Sequence, residues 1–164
     1  MSVVAIKKIG KGRFQIAADS IRVNGFTQEK DKKAKLWAME DIAIGSVGDC
    51  AVSFIFKEFL ENNKPKFNTE YGWTLLMSEF EAKLKTVSNS LELKDSSFIV
   101  VFKKKAFILA NLYVKEIRTW YAVGAGADYA LAALELGHTA KKACEVSCAL
   151  SIYCEKPVTQ YEII

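Results

Sequence analysis

The twenty residues Asp41–Leu60, DIAIGSVGDCAVSFIFKEFL, contain the change of period that decides the fold. Up to Ser46 the apolar residues Ile42, Ala43 and Ile44 follow one another without a gap, and this compact run predicts a strand over Asp41–Ser46. Beyond it Val52, Ile55, Phe56, Phe59 and Leu60 recur at intervals of three and four, which lays one hydrophobic stripe along a helix. Asp49 stands where the helix begins, and its short carboxylate suits the N-cap position. Sheet gives way to helix within a very short connection.

Toward the N-terminus, Val3–Ile6 and Phe14–Ala18 read as a hairpin around the glycine-bearing turn Lys8–Gly12. A third strand is predicted over Ser20–Val23 before the turn Asn24-Gly25, then a lysine-rich stretch from Lys30 to Lys35, then a strand over Ala34–Met39. Toward the C-terminus a second helical stripe runs through Trp73, Met77, Phe80, Leu84 and Val87 after the polar loop 62–68. Strands resume over Phe98–Phe102 and Ala106–Val114, joined at Lys103–Lys105, with another over Ile117–Val123. Gly124-Ala125-Gly126 opens a helix to Leu136 that Gly137 ends, and Thr139 caps a further helix reaching about Cys154. Pro157 separates that helix from a final strand, Val158–Ile163. Two helix pairs and two groups of strands predict two stacked, mainly antiparallel sheets covered by helices, a four-layer α/β/β/α sandwich.

A chain of 164 residues buries enough surface for one core, so a single domain over residues 1–164 is expected. A formal charge of +4 with interleaved signs argues against a nucleic-acid partner. One histidine, His138, rules out a multi-histidine metal site, and the cysteines at 50, 144, 148 and 154 lack zinc-ribbon spacing, so neither a metal nor another cofactor is expected. The absence of a signal-like opening or a long apolar run points to no membrane span, a cytoplasmic location and reduced thiols. Cys144 and Cys148 share a helical face and read as small buried side chains, His138 as a helix-junction residue, and Trp37, Trp73 and Trp120 as core or interface aromatics.

Three segments in order, Val3–Lys7, Ile16-Ala17-Ala18-Asp19 and Ile44-Gly45-Ser46-Val47-Gly48-Asp49, resemble the opening of proteasome β-type subunits and the HslV peptidase. Val123–Ala130 resembles the same family's glycine-rich entry into its third helix. The resemblance implies the N-terminal nucleophile hydrolase fold, which is an α/β/β/α sandwich. It also implies a peptidase whose N-terminal residue supplies both the attacking hydroxyl and the amine that takes its proton. A lysine then supports the charge, an aspartate orients the lysine, and a backbone amide holds the oxyanion.

Carried over by position, Asp19 is the expected aspartate and Gly45 the expected oxyanion amide. For the lysine, counting back from Gly45 gives Lys33, beside Lys32, counting forward from Asp19 gives Lys35, and a proteasome-type frame gives Ala34; Lys33 is the expectation adopted. Ser2 is the expected nucleophile once Met1 is removed, although an ungapped match of Val3–Lys7 puts Met1 there. A bulge in the long hairpin between Lys7 and Asp19 would restore Ser2. Ala125 stands where many relatives have a serine. The implied partners are peptide or unfolded protein substrates, copies of the same chain in a ring, and an ATP-dependent unfoldase. The alternatives are a catalytically inactive ring-forming scaffold and an amidase acting on a small amide.

Overall fold

A computed structural model describes residues 2–24, 27–30, 35–39 and 41–164, and in it the strand-to-helix switch falls at Asp49. The strands are β1 (Val4–Gly10), β2 (Arg13–Ala18), β3 (Ile21–Asn24), β4 (Thr27–Lys30), β5 (Leu36–Ala38) and β6 (Ile42–Gly48), then β7 (Ser96–Phe102), β8 (Lys105–Ala110), β9 (Tyr113–Ile117), β10 (Trp120–Val123) and β11 (Thr159–Ile163). The helices are α1 (Cys50–Asn62), α2 (Glu70–Val87), α3 (Ala127–Glu135) and α4 (Ala140–Leu150). One sheet has the order β10-β1-β2-β11 and the other β5-β6-β7-β8-β9, with β3 and β4 paired separately. Each pairing is antiparallel.

Strand alternation divides the buried side chains into three layers. Ile42, Ile44, Phe98, Val100 and Phe102 face Phe56, Leu60, Trp73 and Phe80 of α1 and α2. Val4, Ile6, Ile16 and Ala18 meet Ala43, Val47, Ile99 and Val101 between the sheets. Val3, Ala5 and Ala17 face Ala130, Ala133, Ala140 and Cys144 of α3 and α4, where small side chains let the helices lie close to the sheet. The molecule is thus the α/β/β/α sandwich expected from the sequence.

Helix starts follow the caps read from sequence. Asp49 Oδ1 accepts from the Ala51 and Val52 amides at 2.7 and 3.0 Å, and Thr139 Oγ1 accepts from the Lys142 amide at 3.2 Å. Several boundaries differ from expectation. The expected strand Ala106–Val114 is split by a turn in which Asn111 takes φ 56°, a left-handed conformation that asparagine tolerates better than most residues. The last helix stops at Leu150 rather than near Cys154, because the Ser151 hydroxyl accepts from the Tyr153 amide and turns the chain. Strand β4, inside the stretch read only as turn and lysines, is exposed along its length and shows no apolar alternation.

Two features position the N-terminus. Register runs unbroken from Lys8↔Phe14 to Val4↔Ala18, then shifts by one at Gly10↔Arg13, so the extra residue of the hairpin, Ile9, is taken up beside the turn. At Gly45 a Cβ would lie 2.5 Å from Val4 Cγ1 and 3.0 Å from Ile16 Cδ1. Glycine there lets β6 approach β1 and β2 closely.

Candidate active site

Asp19 follows the last residue of β2 and is buried, with both carboxylate oxygens occupied. Oδ1 accepts from the Val3 amide at 2.9 Å and from the Lys35 ammonium at 2.5 Å. Oδ2 accepts from the Glu155 amide at 3.2 Å and the Ile21 amide at 3.4 Å. The Asp19 amide returns a bond to the Val3 carbonyl at 3.2 Å, which extends the β1–β2 ladder one residue beyond the strands. A carboxylate with this many donors is rigid as well as satisfied.

Lys35 reaches Asp19 from the residue preceding β5, with its side chain 7% exposed. Burial pulls its pKa below the ordinary lysine value, and the neighbouring Asp19 charge and hydrogen bond oppose that shift. Its carbonyl accepts from the Ser46 amide at 2.9 Å, tying the lysine's main chain to the strand segment that contains Gly45.

Ser2 is buried at the same end of the sandwich. Its carbonyl accepts from the Gly126 amide at 3.1 Å. Gly124 takes φ +100°, and a Cβ on it would collide with the Ser2 carbonyl, so the glycine-rich segment before α3 wraps directly around residue 2. Asp19, Lys35, the 124–126 segment and Ser2 therefore converge, and Val3 links the serine to the carboxylate.

Three cysteines surround this centre. Burial, followed by the Asp19 charge, raises the Cys148 thiol to about 12 and the Cys154 thiol to about 11, and raises Cys144 as well. They are protonated near neutral pH and are therefore poor nucleophiles. Among the described residues no group of three or more His, Cys, Asp or Glu is placed to hold a metal ion, and no helix is long and apolar enough to cross a membrane.

Of the expected residues, Ser2 and Asp19 meet around Val3, and Gly45 lies in β6 opposite Val4. Lys32 and Lys33 lie outside the described residues, and the lysine found on Asp19 is Lys35, the one reached by counting forward from Asp19. The Glu155 amide was not anticipated, because a backbone donor brought in from 136 residues away leaves no mark in the side-chain pattern. His138 sits at the helix junction as expected, with its carbonyl and that of Gly137 accepting from Lys7 Nζ.

Solved structures share this architecture over nearly the whole chain. That of Thiobacillus denitrificans BPH has TM-score 0.85 at 18% identity, covering 98% of this chain and 97% of that one, and BPH in complex with epoxomicin has TM-score 0.83 at 19% with the same coverage. Eukaryotic HslV from Trypanosoma brucei has TM-score 0.73 at 19% identity and covers 98% of each chain. Anbu, an ancestral beta-subunit, from Yersinia bercovieri has TM-score 0.71 at 13%, covering 99% of this chain and 81% of that one. At these identities the likeness is one of fold. No family model matches the sequence, and no curated protein sequence matches it.

Proposed function

We propose that this chain, which has the fold of N-terminal nucleophile hydrolases, is an HslV-like endopeptidase that uses Ser2 as its nucleophile after loss of Met1. The observation that carries the reading is the Asp19 carboxylate, one oxygen of which holds both the Val3 amide and the Lys35 ammonium. Residue 2 is thereby fixed beside a buried cation. The unbroken ladder from Lys8 to Val3, with the extra residue of the hairpin taken up at Ile9, supports Ser2 as the residue that precedes the Asp19-bound amide.

In the proposed reaction the Ser2 hydroxyl oxygen attacks the peptide carbonyl carbon while its proton passes to the free Ser2 amine. An α-amine titrates near about 8, and the Lys35 charge lowers that value, so the amine is a competent base near neutral pH. Negative charge develops on the carbonyl oxygen and is held by backbone donors. Gly45, for which that role was expected, lies inside β6 with strands paired on both sides, so its amide belongs to the sheet. The ammonium then protonates the departing peptide nitrogen, leaving an ester on Ser2. Water, deprotonated by the same amine, hydrolyses that ester and restores the hydroxyl. Lys35 takes the role for which Lys33 was expected. The substrates are peptides or unfolded chains, and the proposal extends to a ring of identical chains served by an ATP-dependent unfoldase.

A second reading, an inactive scaffold of the same fold, is favoured by Ala125, which offers no hydroxyl beside Ser2. Intact mass, casein hydrolysis and reaction with epoxomicin separate the two. The peptidase lacks Met1, releases peptides from casein and gains the inhibitor's mass, whereas Ser2→Ala does neither of the last two. A chain that retains Met1 and stays inert overturns the peptidase reading in favour of the scaffold.

A further inference from the structure

Ser147 lies in α4, fully buried, and its hydroxyl is 2.8 Å from the Gly126 carbonyl and 3.2 Å from the Ala143 carbonyl. A serine inside a helix ordinarily returns its proton to the carbonyl four residues back, here Ala143. The shorter contact instead leaves the helix and reaches the residue that precedes α3. Gly126 is also the residue whose amide donates to the Ser2 carbonyl.

We propose that Ser147 is a positioning residue that holds Ser2 by pinning Gly126, an inference that rests on the reading of Ser2 as nucleophile. Gly126 needs such a restraint. It has no side chain, no side-chain cap starts α3, and a glycine left alone samples more backbone conformations than any other residue. Nor can it be replaced by a stiffer residue, because a Cβ there would lie 3.0 Å from Ser147 Cβ, 3.2 Å from Val3 Cβ, and against the Cys154 sulfur. Its neighbour Ala125 has no hydroxyl to contribute. The Gly126 carbonyl therefore accepts twice, from the Ala130 amide at 3.2 Å within α3 and from Ser147 across the helix pair. Rotation about the Gly126 backbone would move its amide off the Ser2 carbonyl, and the Ser147 bond opposes that rotation. Helix α4 thus acts on residue 2 without touching substrate.

The test is Ser147→Ala, which removes one oxygen and leaves the helix intact. Two measurements are made on the full assembly: amide hydrogen exchange at Gly126, and kcat and KM on a fluorogenic peptide, with kcat counted per site that reacts with epoxomicin. The expected result is faster exchange at Gly126 and kcat per reactive site lower by about tenfold, the weight of one buried hydrogen bond, with KM within about twofold. A purely structural serine would lower the number of reactive sites and leave kcat per site unchanged, and that result overturns the proposal. Unchanged exchange at Gly126 overturns it equally. If the unsubstituted protein neither hydrolyses peptide nor reacts with epoxomicin, the Ser2 reading fails, and the exchange measurement still decides whether Ser147 pins Gly126.

Discussion

Removing Lys35 and Asp19 together is expected to destabilise the protein by clearly less than the sum of the two single removals. In Lys35→Met the aliphatic stem is retained while Asp19, which has no exposed side-chain surface, loses its ammonium partner and keeps the Val3, Ile21 and Glu155 amides. Breaking a buried pair this way costs about 3–5 kcal/mol, and three remaining donors place this case near the lower end. In Asp19→Asn the side-chain amide offers one acceptor oxygen where the carboxylate offered two, so main-chain donors are orphaned and Lys35 remains buried without an anion. The double variant retains the orphaned donors but no lone charge, and a coupling of about 2–3 kcal/mol is expected from the cycle. The assay is urea unfolding at fixed chain concentration, followed by fluorescence of the buried Trp73. A pH signature accompanies it. Burial already lowers the Lys35 pKa, and without Asp19 nothing comparable opposes that shift, so unfolding takes up a proton between the lowered value and 10.5. The stability of Asp19→Asn must therefore rise with pH through that window, by at most about 1.4 kcal/mol per unit, while Lys35→Met lacks this contribution. A coupling below about 0.5 kcal/mol, the level of an exposed pair, would refute the argument.

At pH 8, N-ethylmaleimide should modify exposed Cys50 readily, and should modify Cys148, with its thiol near 12, about a thousandfold more slowly than an ordinary cysteine; comparable rates by peptide mass mapping would contradict the buried site. Gly124→Ala should lower stability by about 1–3 kcal/mol and abolish epoxomicin labelling, since φ +100° and the Ser2 carbonyl both exclude a side chain; wild-type labelling would show that the segment does not govern residue 2.

The features that could be read from sequence are those written locally. The period change at Asp49, the caps at Asp49 and Thr139, and the glycines framing Ala125 each depend on residues a few positions apart. Asp19 could be placed because the run Ile16-Ala17-Ala18-Asp19 carries the resemblance to proteasome β-type subunits and HslV. The choice among lysines could not be made in the same way. Lysines recur through 30–35, and the side-chain pattern of such a run does not encode which of them meets Asp19. Ser147 was equally hidden. In sequence it is one small residue in an alanine-rich helix, and its role depends on a contact with a residue 21 positions away.

The hairpin register connects these observations. If the extra residue of β1 had been placed at the Asp19 end rather than at Ile9, Val3 and Val4 would have exchanged faces. Valine 3 would then have entered the layer between the sheets and Val4 the layer under α3 and α4. Cross-layer packing resists that exchange. Val4 fills the space against the missing side chain of Gly45, and Val3 packs against Gly126, so each valine meets a glycine that accepts it on one face only. The bulge is therefore displaced to the turn, where Gly10 and Gly12 give the backbone room to absorb it. The same two glycines that serve packing thus fix the face on which residue 2 emerges. Asp19 and Lys35 are then reached through Val3 by hydrogen bonds that no other register would supply.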